Sequence, residues 1–164
     1  MGARMINARA ETLPGKPAFR AALKRRRCLI PASGFYEWKK NPDGKTKTPM
    51  YIRMKDHKPF AFAGLWDSWL DPAGTGTEFR SCTIITTRPN ELMAAIHDRM
   101  PAIIHPEHYQ RWLDPAEHDA AEMLQYLGPY PAEEMEARPV STLVNSPKNE
   151  LPACIEPVEK ETLW

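Results

Sequence analysis

Seventeen prolines in 164 residues, about twice the usual share, constrain this chain more than any other feature. Each fixes φ and removes a backbone donor, so the interiors of helices and central strands are repeatedly interrupted. Long helices are excluded, and short elements remain. Pro17 to Arg26 predicts a short amphipathic helix, with proline in the first turn and Phe19, Ala22 and Leu23 at helical spacing. Met5 to Thr12 reads as extended. Cys28 to Trp38 reads as one strand bent at Pro31 and Gly34, and Asn41-Pro42-Asp43-Gly44 is turn chemistry leading into a strand at Met50 to Met54. Pro59 to Trp69 and Phe79 to Thr87 are further strands, and Pro89 to Ile96 a helix capped by Thr87. Pro101 to Ile104 is a short strand, Glu107 to Leu113 and Ala116 to Leu127 are helices, and Val140 to Val144 is the last strand. The expected fold is α+β: a single domain, residues 1–164, of bent, mainly antiparallel strands with short peripheral helices.

Apolar residues at 42% and charged residues at 26% are ordinary for a globular protein. No apolar run approaches the roughly 20 residues of a membrane span, and Arg4 and Arg9 precede no apolar signal region, so a cytoplasmic location is expected. Cys28, Cys82 and Cys154 are widely spaced, fitting neither a disulfide framework nor a zinc site, and read as buried inert thiols. His105, His108 and His118 read as surface residues. No metal or cofactor is expected.

The net charge of +1 conceals a strong asymmetry. Residues 1–60 hold 15 Lys and Arg against 4 Asp and Glu, while residues 61–164 hold 7 against 17, giving +11 and −10. Lys39, Lys40, Lys45 and Lys47 are interleaved with Phe35, Tyr36, Trp38 and Tyr51. That mixture suits single-stranded nucleic acid, because cations neutralise phosphates and aromatic faces stack on splayed bases. The run Lys24 to Arg27 also has a purely structural reading, as cations closing a helix.

Glu37 lies within the apolar, aromatic run CLIPASGFYEW, Cys28 to Trp38. Desolvation disfavours a carboxylate's charged form, which equips such a group for proton transfer near neutral pH. A strand carboxylate paired with Arg or Lys is the competing reading. His97 in IHDRMP, Ile96 to Pro101, is either a proton-transfer imidazole or a helix C-terminal cation.

INARAET (Ile6 to Thr12), RRRCLIPASGFYEWKK (Arg25 to Lys40), FAGLWDSW (Phe62 to Trp69), CTIITT (Cys82 to Thr87) and IHDRMP together resemble the SOS-response-associated peptidase (SRAP) family, nearly end to end. The resemblance implies a DNA-damage sensor that binds abasic sites in single-stranded DNA. Family members form a thiazolidine crosslink through an N-terminal cysteine freed from the initiator Met, with associated peptidase and lyase chemistry, and a nucleoid-associated location follows. By the same resemblance, Asn7, Glu37 and His97 are catalytic, and Arg9, Tyr36, Trp38 and Lys39 contact DNA. Tyr36 and Trp38 would supply an aromatic floor, although strand alternation is expected to send one of them to the opposite face.

Family members begin Met-Cys-Gly-Arg several dozen residues before the NARAET motif, whereas here Asn7 is the seventh residue and position 2 is Gly2. The expectation is a chain truncated at its N-terminus and lacking the nucleophile, completed by a missing N-terminal fragment. Two other classes are open: a non-catalytic single-stranded DNA-binding module, and a cysteine hydrolase using Cys28 or Cys82 with His97.

Overall fold

The computed structural model of the chain describes residues 5–116 and 119–158. The expectations placed on Met1 to Arg4 and on His118 lie outside the described residues. The fold is mixed α+β, and the chain divides into two compact units: the described parts of Met1–Ala32, Phe60–Arg88 and Arg99–Tyr130, and of Ser33–Pro59, Pro89–Asp98 and Pro131–Trp164.

The first unit holds a six-stranded sheet with the path β1 (Asn7–Arg9), β6 (Glu78–Thr87), β5 (Phe60–Leu70), β2 (Arg27–Ala32). The pairs are antiparallel except β1 with β6, which run parallel. The expected strand at Pro101 to Ile104 is two short pieces, β7 (Met100–Pro101) pairing β6 and β8 (Ile103–Ile104) pairing β5. Ala102 between them bridges both, its N–H donating to Ile85 O and its C=O accepting from Ala63 N. One face of the sheet buries Ala63, Leu65 and Ile85 against Phe19, Ala22 and Leu23 of α1 (Pro17–Arg25) and Trp112 of α3 (Tyr109–Leu113). The α1 spacing places all three of its apolar residues on one side, as the sequence requires. Trp112 is fully buried and donates its indole N–H to Cys28 O at 2.9 Å. The expected Ala116–Leu127 helix is shorter, α4 (Ala120–Leu124) followed by a 3-10 turn at Gln125–Leu127.

The second unit holds the antiparallel sheet β3 (Phe35–Lys40), β4 (Lys47–Met54), β9 (Met135–Pro139). The expected single bent strand Cys28–Trp38 is therefore two strands in different sheets, divided at Ser33-Gly34. A Cβ at Gly34 would collide with the Tyr51 ring, so the chain passes this point only without a side chain. The last expected strand is also corrected. Thr142–Asn145 is a 3-10 turn capped by Ser141, whose Oγ accepts from Leu143 N, and Val140, its N–H donating to Pro49 O, forms an isolated bridge to Pro157 rather than a strand. In α2 (Glu91–Ala94) the cap is Asn90 rather than Thr87: its Oδ1 accepts from Met93 N at 2.9 Å while the residue itself is buried.

Candidate active site

Asn7 and Arg9 stand on β1, in register with Ile84 and Thr86 of β6. Ala8 between them is buried, and alternation turns both flanking side chains outward, where they are exposed. The strand then tightens into a 3-10 turn at Ala10–Thr12 that presents Glu11. Arg99 holds Glu11 with two parallel bonds, at 2.9 and 3.0 Å, and donates a third to Thr86 O at 2.6 Å. This fork ties the end of β1 to β6, and the guanidinium holds the Glu11 carboxyl below the usual carboxylate range. Sequence reasoning assigned no role to Glu11 or Arg99. The signal was present in their membership of INARAET and IHDRMP, but nothing in the spacing said that they pair.

Glu37, Tyr36, Trp38 and Lys39 lie on β3, an edge strand paired only to β4 among the described residues. Phe35, Glu37 and Lys39 share one face, and Tyr36, Trp38 and Lys40 share the other. The expectation that Tyr36 and Trp38 would be separated is corrected, since residues two apart on a strand point the same way. Glu37 is half-buried opposite Met50 and, among the described residues, its carboxylate has no hydrogen-bond or ion-pair partner. The competing reading, a strand carboxylate paired with Arg or Lys, finds no partner among the described residues.

On the other face, Tyr36 packs on Tyr51 with ring centroids 5.4 Å apart, and the Arg138 guanidinium lies 5.6 Å from the Tyr51 centroid. Burial pushes the Tyr36 phenol up. Trp38 Nε1 donates to Asn145 Oδ1 at 2.8 Å, and Arg138 Nη2 donates to Ile155 O at 2.8 Å. The chain's own residues 142–155 thus engage this aromatic face.

His97 is exposed, beyond the end of α2, and its Nδ1 lies 3.1 Å from Asp98 Oδ1. The structure brings Asn7 together with Arg9, and Glu37 together with Lys39, each pair on one strand face.

Part of the basic run belongs to the fold. Arg27 is buried, and its guanidinium donates to Leu23 O, Lys24 O, Trp112 O and Asp114 O. Arg26 pairs with Asp67 at 3.3 Å. Of the cysteines, Cys154 is buried, Cys28 is half-buried and Cys82 is exposed, which corrects the expectation of three buried thiols. Burial pushes the Cys28 thiol up to about 11, leaving almost no thiolate at neutral pH and opposing a nucleophilic role. Among the described residues no group of three or more His, Cys, Asp or Glu could hold a metal ion, and no helix is long and apolar enough to cross a membrane.

An α+β chain with an Asn-x-Arg strand and, on an edge strand, a carboxylate that has no partner among the described residues has close counterparts. The family model described as SOS response associated peptidase (SRAP) matches residues 1–147, and the chain belongs to that family. It is 54% identical over 156 residues to abasic site processing protein YoqW of Bacillus subtilis, covering 95% of this chain and 68% of that protein. It is 34% identical over 171 residues to abasic site processing protein HMCES of Gallus gallus, covering 93% of this chain and 50% of that one. A crystal structure of a protein from Bacteroides thetaiotaomicron superposes with a TM-score of 0.85 at 36% identity, over 95% of this chain and 67% of that one. The chain therefore spans about two thirds of its bacterial relative and half of the vertebrate one.

Proposed function

We propose that this chain is an abasic-site-processing, DNA-binding protein acting on single-stranded DNA that carries a ring-opened abasic sugar, and that its two units serve one SRAP-like domain. The observation that carries the reading is Glu37. A half-buried carboxylate whose role is structural is paired or hydrogen-bonded, and this one has neither kind of partner among the described residues. It is therefore open to a substrate proton.

The aldehyde chemistry uses such a group. Addition of an amine to the sugar aldehyde gives a carbinolamine, and loss of water gives an imine; each step moves a proton between nitrogen and oxygen. Glu37 supplies and removes those protons, and His97, with one ring nitrogen facing Asp98, is a second acid/base group. Asn7 orients the amine by hydrogen bonding without adding charge. Arg9 holds a phosphate, and Lys39, exposed on the Glu37 face, adds a second cation.

A thiazolidine forms when a thiol adds to the imine carbon and closes a five-membered ring, so amine and thiol must sit on neighbouring carbons. Only an N-terminal cysteine offers that arrangement; Cys28, Cys82 and Cys154 have their amines in peptide bonds. The stable crosslink, and the peptidase and lyase steps linked to it, belong to a form that presents such a cysteine. A nucleoid-associated location follows from the same reading.

The test is a denaturing gel of a form of this chain that presents a cysteine at its N-terminus once the initiator Met is removed. A heat-stable adduct with an abasic single strand, lost on Cys→Ser at that position, is the expected result. No adduct overturns the reading.

A further inference from the structure

The β3–β4 hairpin carries four lysines, Lys39, Lys40, Lys45 and Lys47, all exposed. Lys40 and Lys47 are direct cross-strand partners, which places two like charges side by side on one face. Such a pair destabilises a hairpin. Among the described residues none of the four ammonium groups has an ion-pair or hydrogen-bond partner that would relieve it. The single acid in the turn is already committed. Asp43 Oδ1 accepts from Lys45 N and Thr46 N, both at 2.9 Å, and its Oδ2 accepts from Thr46 Oγ1 at 2.6 Å.

The turn is also closed by its own hydrogen bonds. Gly44 sits at φ +65°, where glycine has no steric penalty, and Asn41 bonds through its side chain to both Thr46 and Thr48. Four cations are thus held on a two-stranded finger whose one turn acid, Asp43, is bonded to the turn rather than to a lysine ammonium. Lys40 lies about 10 Å along the strand from Glu37, at 3.2 to 3.4 Å per residue, and points to the opposite face.

We propose that this hairpin is a second contact for single-stranded DNA, gripping the phosphate backbone a few nucleotides from the abasic sugar and reading charge rather than base sequence. The inference rests on the DNA-binding reading above and deepens it. The strand crosses the face of Glu37 and Lys39, passes the free edge of β3, and its flanking phosphates relieve the Lys40–Lys47 repulsion. Each neutralised phosphate releases a counterion, with a slope of about −0.7 per contact for single strands.

The experiment uses intact oligothymidylates of about 5 and about 20 nucleotides, bracketing the site sizes of single-strand binders. It follows the triple variant Lys40→Gln, Lys45→Gln, Lys47→Gln. On the long strand the slope of log K against log salt becomes shallower by about 2, so the parent loses roughly 20-fold more affinity than the variant between 50 and 200 mM salt. On the short strand, which has fewer phosphates to offer the lysines, the difference in slope is smaller. Parent-like behaviour on the long strand overturns the proposal. Lys47→Glu provides a second check that does not depend on the triple variant's folding. It creates an opposite-charge cross-strand pair, so thermal stability rises while long-strand affinity falls; unchanged affinity overturns the proposal. Because these strands carry no lesion, the outcome is independent of abasic-site chemistry, which is read separately from the preference for an abasic over an intact strand.

Discussion

Trp38 and Asn145, 107 positions apart in the chain, are joined by a 2.8 Å hydrogen bond from the indole N–H to the amide oxygen. With Arg138 bonded to Ile155 O and stacked over Tyr51, this bond holds residues 142–155 against the face of β3 that carries Tyr36 and Trp38. Those aromatics face away from Glu37, so their first partners are their own chain. Asn145→Ala is expected to lower unfolding stability by about 1 kcal/mol, the worth of one hydrogen bond, and to leave single-strand affinity within about twofold. Urea denaturation alongside a binding titration checks both, and a large loss of affinity would return Trp38 to the DNA surface.

Glu37→Gln keeps the shape and removes the acid. In a form presenting an N-terminal cysteine, crosslink formation and release are expected to slow by roughly a hundredfold or more, the scale of general acid/base loss, while binding persists. Rates equal to the parent's would remove Glu37 from the mechanism.

Arg27 and Arg25 are two residues apart in the same basic run, yet they have opposite roles. Arg27 satisfies four backbone carbonyls from inside the fold, whereas Arg25 is exposed. Arg27→Ala strands buried acceptors and is expected to cost about 3 kcal/mol or more, a fall of roughly 6 to 12 °C in Tm for a chain of this size. Arg25→Ala is expected to shift Tm by under about 2 °C, as surface substitutions do. Calorimetry of both variants decides the matter, and equal Tm values would contradict the structural role.

The Glu11–Arg99 fork sets a pH dependence. The folded carboxyl titrates below its unfolded value, so its contribution is fully present above the unfolded pKa, about 4.5, and is lost as pH falls through the folded one. The Glu11 side chain is 51% exposed, and solvent screening holds the effect to under about 1 kcal/mol. Glu11→Gln should flatten this part of the acid limb in denaturation measured from pH 6 to 3. An unchanged limb would show that the fork contributes nothing to stability.

Much of the fold was legible because its signals are local. The proline-led α1, the Asn-Pro-Asp-Gly turn, the apolar run of β5 and the alternating end of β6 follow from the sequence at their own positions. What was not legible depends on distant packing. The division at Ser33-Gly34 is set by the Tyr51 ring, and the run around Val140 is turned from strand to 3-10 by the Ser141 cap. The burial of Arg27 needs Trp112 and Asp114, more than 80 residues away. At the candidate site, the residue types and their strands were readable, and the sharing of a face by Tyr36 and Trp38 follows from strand period alone. The Arg99–Glu11 and Trp38–Asn145 partnerships were not, because a hydrogen bond between remote segments leaves no periodic trace.

The most direct test of the central claim is equilibrium binding of this chain to three ligands at one fixed salt concentration: a single strand with one abasic site, the same strand intact, and its duplex. The account predicts tightest binding to the abasic strand, weaker binding to the intact single strand and weakest to the duplex. Indistinguishable dissociation constants for the abasic and intact strands, or tightest binding to the duplex, would contradict it.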